Sequence, residues 1–276
     1  MYNYEKAGSG VAKESQKKKA FFDFLEMYFR YCGRLVKLNI LTFIFCIPVV
    51  TIGPALAGMT RVLRNYTLDK SAFIFHDFWK GFSNNWKQSL PVGLLDTLFA
   101  VSAVTALRVY PAMGDAAVEA GKSGTIYTVF CVLSVSFAVT LLIMNFYIMP
   151  MIVATDLSLK NIVKNSFYLT CVSLKRNIIT LLVIAAVVLL LLISGTGALL
   201  LIPLWALTFV GFVIMYNSYP QIQKYVINPY YEERGMDNPE YDYLKPLSAD
   251  ESVFTDRGGE EAPIEGKNNK KGKIIS

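Results

Sequence analysis

Asp96 stands near the middle of the apolar run 88–110 and is the only acidic residue so placed. A carboxylate at bilayer depth is costly and often marks a transport or proton pathway. The structural alternatives are protonation, or a hydrogen bond to a neighbour such as Thr97 or Asn145, the latter in a separate apolar run. Asp96 and Asn145 therefore form the candidate intramembrane polar site. An intramembrane protease built on paired aspartates would need a second membrane Asp, which the sequence lacks. His76 is the sole histidine, so neither an H-E-x-x-H zinc pair nor a His-based triad can form. A glycine-rich phosphate loop is also missing. Cys32, Cys46, Cys131 and Cys171 make no C-x-x-C pair, which argues against zinc or dithiol chemistry. Cys46 and Cys131 fall inside apolar runs and read as small buried side chains. No catalytic, cofactor-binding or metal-ligating residue is assigned, and the chain is expected not to be an enzyme and to carry no cofactor.

The elements that would hold Asp96 are set by composition. The 276 residues are 54% hydrophobic and 17% charged, against roughly a quarter charged in a soluble domain. The apolar residues gather into runs long enough to cross a bilayer, at about 20 residues per helix. The fold class is therefore all-α: a polytopic helical membrane protein with a broken first helix hairpin, four further spans and interfacial amphipathic helices. Three regions are expected: a polar N-terminal arm 1–20, a membrane domain 21–227, and a polar, largely disordered tail 228–276. The net charge of +6 does not imply nucleic acid, because the basic residues flank apolar runs instead of forming a stripe. The lipid bilayer is the partner they address.

Residues 21–37 recur in aromatic and apolar character at three- and four-residue steps, which predicts an amphipathic interfacial helix feeding the first apolar run. That run, 38–50, ends in Pro48-Val49-Val50-Thr51-Ile52-Gly53-Pro54. Pro48, Gly53 and Pro54 form a helix-break motif, with Pro54 opening a new helix and Thr51 or Gly53 as possible caps. The Ala55-Leu56-Ala57 triplet looks like a signal cleavage site, but the polar segment before the run is too long for a signal peptide, and cleavage is not expected. Residues 73–87 place Phe75, Phe78, Trp79, Phe82 and Trp86 on one face, predicting an interfacial helix, with a possible break at Gly81. His76, Asp77, Trp79 and Trp86 are its expected anchors. Spans are predicted at 88–110, 125–153, 178–193 and 198–219, the last two joined by Ser194-Gly195-Thr196-Gly197 as antiparallel neighbours. A short amphipathic helix is predicted after Asp156, with Asp156 or Ser158 as its cap.

Segments 59–87 and 154–177 are rich in Lys and Arg, whereas 111–124 and 194–197 are not. Positive-inside bias then puts 59–87, 154–177 and both termini in the cytoplasm of a multi-pass cell-membrane protein. Both flanks of 38–58 fall on one side, so the broken hairpin either crosses and returns or dips in and returns.

Pro48-Val49-Val50-Thr51-Ile52-Gly53-Pro54-Ala55, Arg64, His76-Asp77-Phe78-Trp79-Lys80-Gly81-Phe82, Asn85-Trp86-Lys87-Gln88-Ser89 and Thr155-Asp156-Leu157-Ser158-Leu159 together resemble the YesL-like family of bacterial membrane proteins of unknown function. The resemblance spans about residues 20–225. It implies a polytopic protein without an assigned activity, linked with carbohydrate uptake systems, and it carries over no catalytic residue. Two functions remain open: an accessory or regulatory component associated with a carbohydrate transport complex, or a transporter or permease subunit with Asp96 and the broken helix lining its pathway.

Overall fold

The computed structural model describes residues 20–236 and 238–240. Of these, 89% are helical and none is in a strand, so the chain is all-α. Residues 1–19 and the tail from 241 lie outside the described residues. The helices are α1 (Ala20–Cys46), α2 (Ile52–Thr67), α3 (Ile74–Glu119), α4 (Thr125–Ala154), α5 (Leu159–Val172), α6 (Leu174–Ser194), α7 (Ala198–Leu201), α8 (Leu207–Ile222) and α9 (Asn228–Glu232). Among the described residues three runs are long and apolar enough to cross a membrane: Ile74–Glu119, Thr125–Ala154 and Leu174–Glu232. The third reverses at Gly195, whose φ of +53° suits glycine. Asn217 Nδ2 then donates to Thr180 Oγ1 at 3.0 Å, pairing α8 antiparallel with α6.

The two segments read as interfacial helices are the first turns of longer ones. Residues 21–37 continue without a break into α1. Tyr28, Tyr31, Leu35 and Leu38 are buried there, a seven-residue rhythm that packs α1 as a bundle member. Residues 74–87 continue into the 46-residue α3, about 69 Å long. Gly81 does not break it. Its missing side chain lets α3 approach α2: a Cβ there would lie 2.9 Å from the Cα of Gly58 and from the Cβ of Arg61. Further along, a Cβ on Gly93 would lie 2.5 Å from the Cα of Gly53, and one on Gly53 would collide with the Ser89 carbonyl. α2 and α3 are thus antiparallel helices whose backbones touch twice.

The break between α1 and α2 falls at Ile47–Pro48, followed by one tight turn over Val49–Thr51. Thr51 occupies the N-cap position of α2, but its hydroxyl donates to the carbonyls of Phe45 (2.6 Å) and Pro48 (2.8 Å) and so pins the turn. Gly53 and Pro54 lie inside the first turn of α2, where Pro54 forfeits no helical hydrogen bond. At the other end of α2, Asp69 adopts φ +53°, a left-handed conformation that Asp tolerates. Its carboxylate accepts from Arg30 Nη1 at 3.0 Å and Tyr31 OH at 2.7 Å, tying the turn back to α1. The carboxylate beside it also holds the Arg30 guanidinium above its ordinary pKa range.

α8 is entered through a wider turn over Ile202–Ala206, which contains Pro203. Asn39, fully buried in α1, spans the irregularity: Nδ2 donates to the Ile202 carbonyl at 2.8 Å and Oδ1 accepts from the Thr208 amide at 2.7 Å. Such local widening leaves backbone groups that a side chain must satisfy.

The glycine contacts generate a matched pair of expectations. Gly93→Leu should destabilise the protein by more than about 3 kcal/mol, because over-packing here meets backbone and not a flexible side chain. Gly33→Ala, at a helical position with open space around it, should instead raise stability by about 0.5–1 kcal/mol. Thermal unfolding of the detergent-solubilised chain measures both.

Candidate functional site

Asp96 and Asn145 come together. Asp96 lies on α3 one turn beyond Gly93, and Asn145 Nδ2 on α4 donates to its Oδ1 at 2.8 Å. The same amide nitrogen donates to the Leu141 carbonyl at 3.2 Å, so both of its protons are committed and the orientation of the amide is set. Asn145 Oδ1 is buried and receives no donor. No donor other than Asn145 reaches Asp96 among the described residues. Both side chains line a cavity of about 190 Å³ walled by α2, α4, α6 and α8, otherwise through apolar groups such as Met59, Phe146, Met149 and Met215. The site is an acceptor-rich corner of an oily cavity.

Pro48, Gly53, Pro54 and Asp77 serve the frame. Pro48 heads the tight turn, Gly53 gives α2 its contact with α3, and Pro54 starts α2. Asp77 Oδ2 accepts the Phe73 amide at 3.0 Å, closing the first turn of α3. His76 is exposed beside it. Trp79 stacks on Phe82 at 5.4 Å, and both Trp79 and Trp86 are about half exposed. None of these four touches the Asp96 cavity.

A second polar centre was not foreseen. Arg64, near the end of α2, is buried with Glu240, Tyr219 and Gln223. Its Nη2 meets Glu240 Oε1 at 2.5 Å, and its Nε donates to Tyr219 OH at 2.7 Å. Tyr219 OH donates to Glu240 Oε1 at 2.5 Å, and Gln223 Nε2 to Glu240 Oε2 at 2.8 Å. The carboxylate is therefore saturated by groups from α2, α8 and the turn that follows α8. Asn238 Oδ1 accepts the Glu240 amide at 2.9 Å and shapes the turn that delivers it. An open groove of about 570 Å³, rimmed by Lys175 and Arg176, shares Tyr219 and Gln223 with this cluster. Arg64 was legible as one of the basic residues of 59–87 and as part of the YesL-like resemblance, but Glu240 sits 176 positions away with no motif to connect them.

α5 lies at the same end of the bundle. Ser158 is at its N-cap position. Ile162, Ser166, Leu169 and Thr170 face inward, while Val163 and Phe167 point outward. Val163 and Phe167 share the outer stripe with Lys160 and Lys164, while the polar Ser166 and Thr170 can be buried because their hydroxyls donate to their own helix carbonyls. Asn177 anchors the helix: its Nδ2 donates to the Thr170 carbonyl at 3.0 Å, and its Oδ1 accepts from Tyr147 OH at 2.5 Å. Gln88 Nε2 holds the preceding loop through the Leu157 carbonyl at 3.1 Å.

Residues 35–106 match a family of proteins of unknown function, DUF624. The matched stretch runs from mid-α1 to just past Asp96, and so contains the α1–α2 break, the glycine contacts and Arg64. It excludes Asn145, α5 and Glu240. No curated protein and no solved structure matches the chain.

Glu240→Gln would leave the buried Arg64 guanidinium without its carboxylate, and should cost about 3–5 kcal/mol. Replacing Arg64 and Glu240 together by methionine should recover most of that loss. Thermal unfolding of the single and double variants tests this, and a double variant as unstable as the single would contradict it.

Proposed function

We propose that the protein is a non-enzymatic accessory or regulatory component of a membrane transport system, anchored in the cell membrane with both termini in the cytoplasm. The carbohydrate specificity of that system rests on the YesL-like resemblance alone. The observation that carries the accessory reading is α5: a helix locked onto the frame on one side while Lys160, Val163, Lys164 and Phe167 form an outward stripe at i, i+3, i+4 and i+7. That spacing is the one by which a helix face enters a groove on a partner. Its two lysines call for a groove with acidic margins.

The proposed topology has four crossings, α3, α4, α6 and α7–α8, with α1–α2 re-entrant. Two observations support it. α2 has 16 residues, about 24 Å, short of the roughly 30 Å hydrocarbon core. Its start is level with Gly93, about 8 Å into the apolar run that begins at Gln88, while α3 continues for another 26 residues to Glu119. Ile44, Ile47, Val49 and Val50, exposed around the tip, then rest in the inner leaflet. The basic residues of 59–87 and 154–177 share the cytoplasmic side.

A second reading, a transporter or permease subunit in its own right, is favoured by the Asp96–Asn145 bond on its cavity, since ionisable groups at bilayer depth mark pathways.

Purification from native membranes in mild detergent separates these readings. The accessory reading expects a stoichiometric transport partner whose recovery falls at least fivefold in Phe167→Glu, with the melting temperature unchanged. A chain that purifies alone and moves labelled sugar into liposomes, with that movement lost in Asp96→Asn, would establish the second reading instead. For topology, single cysteines in a cysteine-free background should react with a membrane-impermeant maleimide on intact cells at residues 121 and 196. Position 50 should stay unlabelled. Labelling at 50 equal to that at 196 would mean that α1–α2 crosses.

A further inference from the structure

We propose that the cavity beside Asp96 is a binding site for a small lipophilic organic cation: an ammonium or amidinium group on a hydrocarbon body the size of one benzene ring. The inference takes its site from the transporter reading but requires only binding, not movement.

The argument starts from what the polar corner lacks. Asn145 spends both amide protons, one on Asp96 Oδ1 and one on the Leu141 carbonyl. That leaves Asn145 Oδ1 buried without a donor, and leaves the second oxygen of Asp96 with none among the described residues. The corner therefore holds only acceptors and a formal negative charge, among groups that offer no cation. Arg61 and Arg64, the nearest arginines along α2, do not line the cavity. A half-buried carboxylate among apolar groups is stabilised by a countercharge that brings hydrogen-bond donors with it. A charged N–H group meets both needs at once. A neutral hydroxyl meets only one.

The remaining walls set the body of the ligand. Leu56, Met59, Phe146, Met149, Ile184 and Met215 surround the space. Thioether sulfurs and aromatic faces are polarisable surfaces that adapt to a ring and favour a nearby cation. A cavity of about 150 Å³ lined by Leu, Ile and Phe accepts benzene, so the 190 Å³ here takes a ring plus a short aminomethyl arm. Strongly hydrated metal cations fit poorly, because Asp96 and Asn145 supply too few oxygens to replace a hydration shell. Thr60, which also lines the space, commits its hydroxyl proton to the Leu56 carbonyl at 2.7 Å and so does not compete as a donor to Asp96.

The test uses the full chain in lipid nanodiscs with benzylammonium as probe and benzyl alcohol as its neutral isostere, followed by calorimetry. Expected is saturable binding of benzylammonium that weakens at least tenfold in Asp96→Asn, and weaker benzyl alcohol binding that the substitution leaves unchanged. Met149→Trp, which keeps Asp96 but fills the cavity, should weaken both probes and carries the test if Asp96→Asn does not fold. Equal benzylammonium affinity in wild type and either variant, or no binding to wild type, overturns the proposal and leaves the Asp96–Asn145 pair as a structural link between α3 and α4. Binding without uptake into proteoliposomes would end the transporter reading and leave this one standing. Asp96-dependent uptake of another solute without benzylammonium binding would do the reverse.

Discussion

The backbone contact between α2 and α3 governs most of what surrounds it. At Gly53–Gly93 and Gly58–Gly81 the two backbones approach closely enough that a Cβ would collide, so these glycines set the distance and register of the helices there. With α3 against one face and α4 and α8 against others, α2 becomes the best-buried helix of the bundle. Burial of α2 carries Arg64 inside with it, and a buried guanidinium requires a carboxylate. The C-terminal segment supplies one: Glu240 is buried against Arg64 although residues 232–236 are exposed. The same register brings the α1–α2 tip level with Gly93. Asp96, one turn on, therefore opens beside α2's first turns onto a cavity instead of packing against a helix face.

Polar residues inside the apolar frame follow a consistent logic. Asn39 satisfies the widened turn before α8, Asn177 joins α4, α5 and α6, and Asp69 holds a left-handed turn against α1. Each links elements distant in sequence through a directional bond, where dispersion forces alone discriminate weakly between apolar helix faces. The residues that depart from this pattern are few. Among the described residues, Asn145 Oδ1, Asn85 Oδ1, Gln88 Oε1, Tyr66 OH and Arg61 Nε are buried without partners. Of these, only Asn145 borders the Asp96 cavity.

The helical, membrane-type character was legible because runs of apolar residues have no other use at that length, and because proline, glycine and charge mark their ends. The hairpin at Ser194–Gly197 and the break at Pro48 could be read for the same reason: each is a local backbone constraint. The pairing of Asp96 with Asn145 could be named because two polar residues in separate apolar runs have few other partners. Continuity of α1 and α3 was not legible, since an aromatic face at headgroup depth and the first turns of a long bundle helix share one periodicity. Gly81 misled for a related reason. A glycine in a helix weakens it locally, but whether it breaks the helix or admits a neighbouring backbone depends on what α2 brings opposite. The partnership of Arg64 with Glu240 was invisible, because nothing local in either segment points to the other.

Arg64 and Asp96 show two solutions to one electrostatic problem. Both charges sit among apolar helices, and an isolated charge there is costly enough that it must be neutralised or paired. Around Arg64 the chain provides a carboxylate, a phenol and an amide, so that the charge is spent internally and the cluster acts as a clamp. Around Asp96 it provides one amide N–H and leaves the remaining acceptors facing apolar walls. A frame that neutralises an arginine by recruiting a residue 176 positions away does not lack the means to neutralise an aspartate. The two sites therefore differ in kind: the Arg64 cluster ties α2 and α8 to the C-terminal segment, whereas the Asp96–Asn145 bond joins α3 to α4 beside open apolar space.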